Sequence, residues 1–152
     1  MNNLMNQPTP LDLFKTAERS IHYINRSITH KNTAVEGHYD FLCYHAYKAV
    51  YHLLEGYLLY QEQPLRQPTE NLSILLTAAA RIYPSLITLK KAVICLRQYT
   101  LYTDFTKLRV TQKDFREAVK ALRQIAIYPP LLIARHTFSQ EGKYLMSNIN
   151  QH

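Results

Sequence analysis

His38, His45 and His52 recur every seven residues, and neutral imidazole is a common metal ligand. On a helix the three rings fall along nearly one face. Geometry weighs against a shared ion. Seven residues climb ~10.5 Å at ~1.5 Å each, whereas two histidines on one zinc both need nitrogens at ~2.0–2.1 Å. A spacing of four closes that gap and a spacing of seven does not, so no metal is expected. The plainer reading is a polar helix face built from His45, Lys48, His52 and Glu55. Tyr44, Tyr47 and Tyr51 stand beside it. Tyrosines at helical spacing read first as packing, with the ring buried and the hydroxyl wet, and second as a base-stacking platform.

A second group is basic. Lys113, Arg116, Lys120 and Arg123 follow steps of three and four, which makes one stripe on a helix. Such a stripe can track phosphates by releasing their counterions. Its bland counterpart is an ordinary solvated face. Lys90, Lys91 and Arg97 lie nearby in sequence, and the seven together form the candidate anion-binding set. Residues 81–123 hold ten Lys and Arg against three acids, so the whole net charge of +7 falls there and the rest of the chain balances. That imbalance points to an anionic partner. It bears on association and not on fold.

Other chemistry is thinly represented. Cys43 and Cys95 sit far apart in apolar helical stretches, which suits buried free thiols better than a disulfide framework or a zinc knuckle. No activating neighbour stands beside either. The chain has no Walker A loop, no GxGxxG, no GxSxG and no paired-carboxylate motif. Nothing names a cofactor, and the balance leans away from an enzyme.

The elements that must position these residues are helical. A length of 152 residues fits one core. Three glycines against twelve tyrosines favour helices with short links over a turn-rich sheet. Phe14, Ala17, Ile21, Ile24 and Ile28 mark a first helix, with Asp12 or a neighbour as its cap. The second runs from about Tyr39 to Gln61 with an unusually wide apolar arc, as for a central helix. Gly56 inside it implies close approach of another helix. Pro64 and Pro68 mark a loop. Thr69 opens a third helix through Leu72, Leu75, Leu76, Ala79 and Ile82, and Pro84 stops it. Ser85 caps a fourth, with Leu86, Leu89, Val93, Leu96 and Tyr99 inward. Thr111 and Asp114 open a fifth with a capping box, over Phe115, Ala118, Leu122 and Ile125. Pro129 and Pro130 end it. The expectation is an all-α, up-and-down bundle of four to five helices over residues 1–128, then a C-terminal extension over 129–152 with room for one short helix. The N-terminus lacks the basic and apolar regions of a signal peptide, and no apolar run reaches membrane length, so a cytoplasmic chain is expected.

The second helix also resembles a known family. DFLCYHAYKAVYHLLEGYLLYQ is similar to the helix of the HEPN family, whose usual wording is close to C-F-H-A-Q-Q-A-A-E-K-A-L-K-A-L-L. Cys43, Tyr44, His45, Ala46, Ala49, Val50, Leu53 and Leu58 match in kind. Tyr47 and Lys48 stand in place of the two glutamines, Tyr51 and His52 in place of Glu-Lys, and Glu55 in place of the second lysine. TENLSILL resembles T-H-D-L-x-x-L-L, with Glu70 for the histidine. LRQYTLYTDFTKL resembles L-N-x-Y-Y-I-x-x-R-Y-P through Leu96, Tyr99 and Leu101, with Asp104, Phe105 and Thr106 at Arg-Tyr-Pro. The resemblance covers residues 11 to 127.

The resemblance implies a small helical bundle that dimerises. It implies RNA cleavage by an Arg-x4–6-His motif, partnership with a minimal nucleotidyltransferase in toxin–antitoxin pairs, or nucleotide binding without cleavage. Here Asp104 replaces the arginine, no suitably spaced histidine follows, and Arg97, Arg109, Arg116 and Arg123 also lack one. A carboxylate repels the phosphorane that an arginine would stabilise. The leading expectation is therefore a non-catalytic HEPN-like module for nucleic acid, nucleotide or a partner protein, acting as a homodimer. One alternative is a ribonuclease with a rearranged site using His45 or His52. Another is an interaction protein with no nucleic-acid role.

Overall fold

The computed structural model describes residues 7–29, 39–99 and 110–137. Among them every regular element is helical. They are α1 (Pro10–Thr29), α2 (Tyr39–Tyr60), α3 (Leu72–Ile82), a 3-10 helix (Pro84–Leu89) running into α4 (Lys90–Arg97), and α5 (Gln112–Ala126). Residues 129–137 form a further helix, α6. His38, Leu101, Asp104, Phe105, Thr106, Lys107 and Arg109 lie outside the described residues.

Each helix start has a local cause. Thr9 caps α1: the Asp12 N–H donates to the Thr9 hydroxyl at 3.1 Å, and the Thr9 N–H donates to the Asp12 carboxylate at 3.0 Å. Asp12 is therefore the reciprocal partner and not the cap. Thr111 and Asp114 form the expected capping box on α5. The start of α3 falls later than Thr69, because the Asn71 side chain takes the Ser73 N–H at 2.9 Å. Ser85 is no cap either. Its segment winds as a 3-10 helix with Pro84 in the first turn and no side-chain cap, although Leu86, Leu89, Val93, Leu96 and Tyr99 are all buried as expected. Ile28 departs from the first stripe: it is 39% exposed near the end of α1, where the helix has passed the core.

α2 is the axis of the bundle. Eleven of its 22 residues are buried, and none is fully exposed. It packs against α1, α3, α4 and α5. α1 runs antiparallel to it. Tyr23 meets Phe41 and His45 at one end, and Phe14 meets Gly56 at the other. A Cβ on Gly56 would lie 2.8 Å from Phe14 Cε1 and 3.3 Å from Leu13 Cβ, so the glycine is there for close approach. α4 and α5 are also antiparallel: the Tyr128 hydroxyl donates to the Ser85 carbonyl at 2.9 Å, while Asp114 and Glu117 lie near Cys95. The Tyr47 hydroxyl donates to the Glu70 carbonyl at 2.7 Å and ties the proline-containing loop to α2. Leu131 and Ala134 of α6 enter the same core.

Gly56→Ala tests the α1–α2 contact. Overpacking costs ~1–3 kcal/mol and alanine regains up to ~1 kcal/mol of helix propensity. Urea denaturation should show a net loss of about 1 kcal/mol.

Candidate functional site

The outer arc of α2 carries Phe41, Tyr44, His45, Lys48, Tyr51, His52, Glu55 and Leu59, all half-buried. His45 is held between rings from two helices. Its centroid lies 4.4 Å from Phe41 on α2 and 5.0 Å from Tyr23 on α1. His52 meets Tyr51 edge-on at 5.1 Å. The Lys48 ammonium sits over the Tyr51 ring at 5.2 Å and towards Tyr44 at 6.0 Å. The polar face expected from the sequence thus exists, half-buried and interleaved with aromatic rings. Phe41 is four residues before His45, so its contact was legible as a helical pair. Tyr23 comes from another helix and gave no signal in sequence.

Burial governs the titration of this face. It pushes the His45 imidazole below its ordinary range. It pushes His52 down to about 4, with the Lys48 charge adding to the effect. Nδ1 of each is buried without a hydrogen-bond partner. At neutral pH both rings are therefore neutral, and His52 is a poor proton acceptor for general-base work. Tyr51 moves the other way, up to about 12, through burial and the Glu55 carboxylate that its hydroxyl meets. The thiols are similarly quiet. Burial pushes Cys43 up to about 12 and also raises Cys95, so neither is an available nucleophile. Among the described residues no three His, Cys, Asp or Glu side chains gather as a metal site. A cleft beside Tyr51 and Glu55, walled by Leu58, Pro64 and Pro68, encloses about 120 Å³. Ligand pockets typically take ~300–1,000 Å³, so a nucleotide does not fit in it.

The basic candidates are divided by the packing. All seven are exposed. Arg97 Nη1 donates to Ser73 Oγ at 3.2 Å, which turns that edge of α4 towards α3. Lys90, seven residues earlier, shares the edge. Lys91 is four residues before Cys95, on the edge nearer α5. Glu117 lines the near side of α5, and the row Lys113, Arg116, Lys120, Arg123 lies beyond it. Only these four form one continuous row, roughly 15 Å long at ~1.5 Å per residue. Among the described residues no carboxylate forms an ion pair with them; the ion pair between Arg135 and Glu18, at 3.9 Å, lies elsewhere.

α5 meets α2 through Phe115 and Tyr39, whose rings lie 5.8 Å apart. At ~3.6 residues per turn, Tyr39 falls on the core side of α2, across the helix from Lys48 and Glu55. The aromatic face and the basic row therefore occupy opposite sides of the bundle, and no composite site joins them.

The family model for the HEPN domain matches residues 11–127, which is more than half of the chain. The chain belongs to the HEPN domain family. No curated protein and no solved structure matches it. The HEPN match takes in α1 through α5 apart from the first residue of α1, and α6 follows it. No described helix is long and apolar enough to cross a membrane.

In this HEPN chain the two neutral imidazoles should appear as acid sensitivity. A histidine depressed in the fold leaves the unfolded chain to bind its proton first. Stability is therefore lost as pH falls from about 6.5 towards about 4 for His52. His52→Gln should flatten the fall in melting temperature across that window, measured by circular dichroism. An unchanged slope would assign the effect to other groups.

Proposed function

We propose that this chain is a non-catalytic HEPN-family binding module whose α5 row holds nucleic acid. The carrying observation is the exposed row Lys113, Arg116, Lys120 and Arg123, without a described carboxylate paired to it. It lies within the segment that carries the whole net charge of +7. A row of cations on a convex helix suits a strand of phosphates better than one free nucleotide, which needs a walled pocket. The finer associations of the family, a nucleotidyltransferase partner in a toxin–antitoxin pair among them, belong with the same reading and are tested by the gene beside it.

Catalysis is disfavoured by charge. Asp104 stands where the family arginine would stabilise a transition state. The alternative ribonuclease built on His45 or His52 would need a working proton acceptor, whereas both rings are depressed by burial. Pure protein with mixed RNA should leave the RNA intact. Cleavage that disappears in His45→Ala or His52→Ala would restore the ribonuclease reading.

Binding to single-stranded RNA should weaken linearly with log salt. Four contacts at ~0.7 each give a slope of about −3, or roughly fifty-fold between 50 and 200 mM. Reversing all four residues to Glu should abolish both affinity and slope in a fluorescence-anisotropy titration. Binding indifferent to salt and to reversal would leave the row an ordinary solvated face and favour the interaction protein with no nucleic-acid role.

A further inference from the structure

The hairpin of α3 and α4 is basic in its own right, and its cations stand apart from the α5 row. From Asn71 to Tyr99 there is no Asp or Glu, while Arg81, Lys90, Lys91 and Arg97 are all exposed. Three isoleucines are exposed among them: Ile74 at 49%, Ile87 at 50% and Ile94 at 50%. A single exposed isoleucine is ordinary, but three on one surface mark a place of contact.

Helical geometry gathers them. Arg97 Nη1 donates to Ser73 Oγ at 3.2 Å, so the end of α4 lies beside the start of α3 and the two helices run antiparallel. Ile94 is three residues before Arg97, and Lys90 four before that, along one edge of α4. Ile87 precedes Lys90 by three residues across the 3-10 segment, a winding in which residues three apart eclipse. The edge therefore alternates Ile87, Lys90, Ile94 and Arg97 over roughly 15 Å. On α3, Ile74 stands outward beside Ser73, and Arg81 shares its face seven residues on.

We propose that this face docks on an anionic membrane surface, with Ile74, Ile87 and Ile94 entering the headgroup layer and Arg81, Lys90 and Arg97 meeting anionic lipid headgroups. The contact is with the surface alone, since no described helix is long and apolar enough to cross a membrane. Alternation of aliphatic and basic residues is what such a surface takes. The isoleucines are drawn in by burial, and the lysine and arginine stems lie along them while the charged heads stay at the level of the headgroups.

Charge and apolarity together select this occupant. A second copy on the same face would bring cations against cations, with no carboxylate in the hairpin to offset them. Single-stranded nucleic acid takes cations too, but its bases stack on rings, which isoleucine does not offer. The α5 row shows the contrast: every exposed residue of that helix is polar or charged. The proposal does not rest on the nucleic-acid reading of α5, and either can fail while the other stands.

The test is co-sedimentation of the full chain with vesicles made of equal parts phosphatidylcholine and phosphatidylserine, beside vesicles of phosphatidylcholine alone. Wild type should bind the first and not the second. A cation near an anionic bilayer contributes a factor of roughly five to binding, so Lys90→Glu should weaken it at least ~fivefold. Ile94→Ser and Ile87→Ser leave the net charge unchanged and should each weaken it ~threefold or more, without altering RNA affinity. Arg19→Glu, an exposed reversal on α1, should cost less than Lys90→Glu. The chain has no tryptophan, so Ile94→Trp supplies a single reporter. Its emission should shift to the blue on phosphatidylserine vesicles, and that of Arg19→Trp should not. Circular dichroism checks that each variant folds.

No binding to either vesicle overturns the proposal, as does an unshifted Ile94→Trp. Equal losses in Lys90→Glu and Arg19→Glu, with none in the serine variants, would leave only the general attraction of a cationic chain and overturn it also. RNA affinity that falls in Ile94→Ser would give the face to nucleic acid, and self-association lost in that variant would give it to a second copy. Either result sinks the membrane reading.

Discussion

The approach of α1 to α2 at Gly56 is the constraint on which the rest of the structure depends. Phe14 lies where any side chain at that position would have to be. With α1 seated this close, Tyr23 reaches the N-terminal part of α2 and closes over Phe41 and His45. The other neighbours then occupy the remaining sides of α2, through Tyr47 and Glu70 on one and Tyr39 and Phe115 on another. A helix held this way buries Leu53, Leu54 and Leu58 almost completely, each contributing roughly 1.5–3 kcal/mol relative to exposure.

Enclosing α2 decides where charge can live. A cation cannot be buried without a partner at several kcal/mol, so the uncompensated lysines and arginines collect on the outer helices. Polar groups left on α2 are made neutral or are offset: the imidazoles lose their protons, and Lys48 is matched by Glu55 on the same arc. The molecule therefore has an electropositive side on α5 and a neutral, ring-lined side on α2. These two surfaces differ in physical kind.

Much of the architecture was legible because it depends on local chemistry. The Thr111–Asp114 capping box, the apolar face of α5 and the wide arc of α2 need only residues a few positions apart. So does the family pattern over residues 11–127. Errors fell where a tertiary contact competes with a local one. Ser85 reads as a cap, but its carbonyl is engaged by Tyr128, 43 residues away, and the segment tightens into a 3-10 helix. Thr69 reads as a helix start, but Asn71 has the better acceptor for Ser73. The seven basic residues read as one set because sequence proximity was all that joined them. Packing turns Arg97 towards Ser73 and interposes Glu117 before the α5 row.

The sequence alone determined the helices, their inward faces, the family and the sign of the charge, because periodicity, capping and net charge are properties of short stretches or of sums. The tertiary structure decided that the histidine face and the basic row point in opposite directions, that Tyr23 packs against His45, and that the Nδ1 atoms of both half-buried imidazoles are shielded from solvent. Those facts depend on the relative placement of helices far apart in the chain, fixed by how closely backbones and rings can approach.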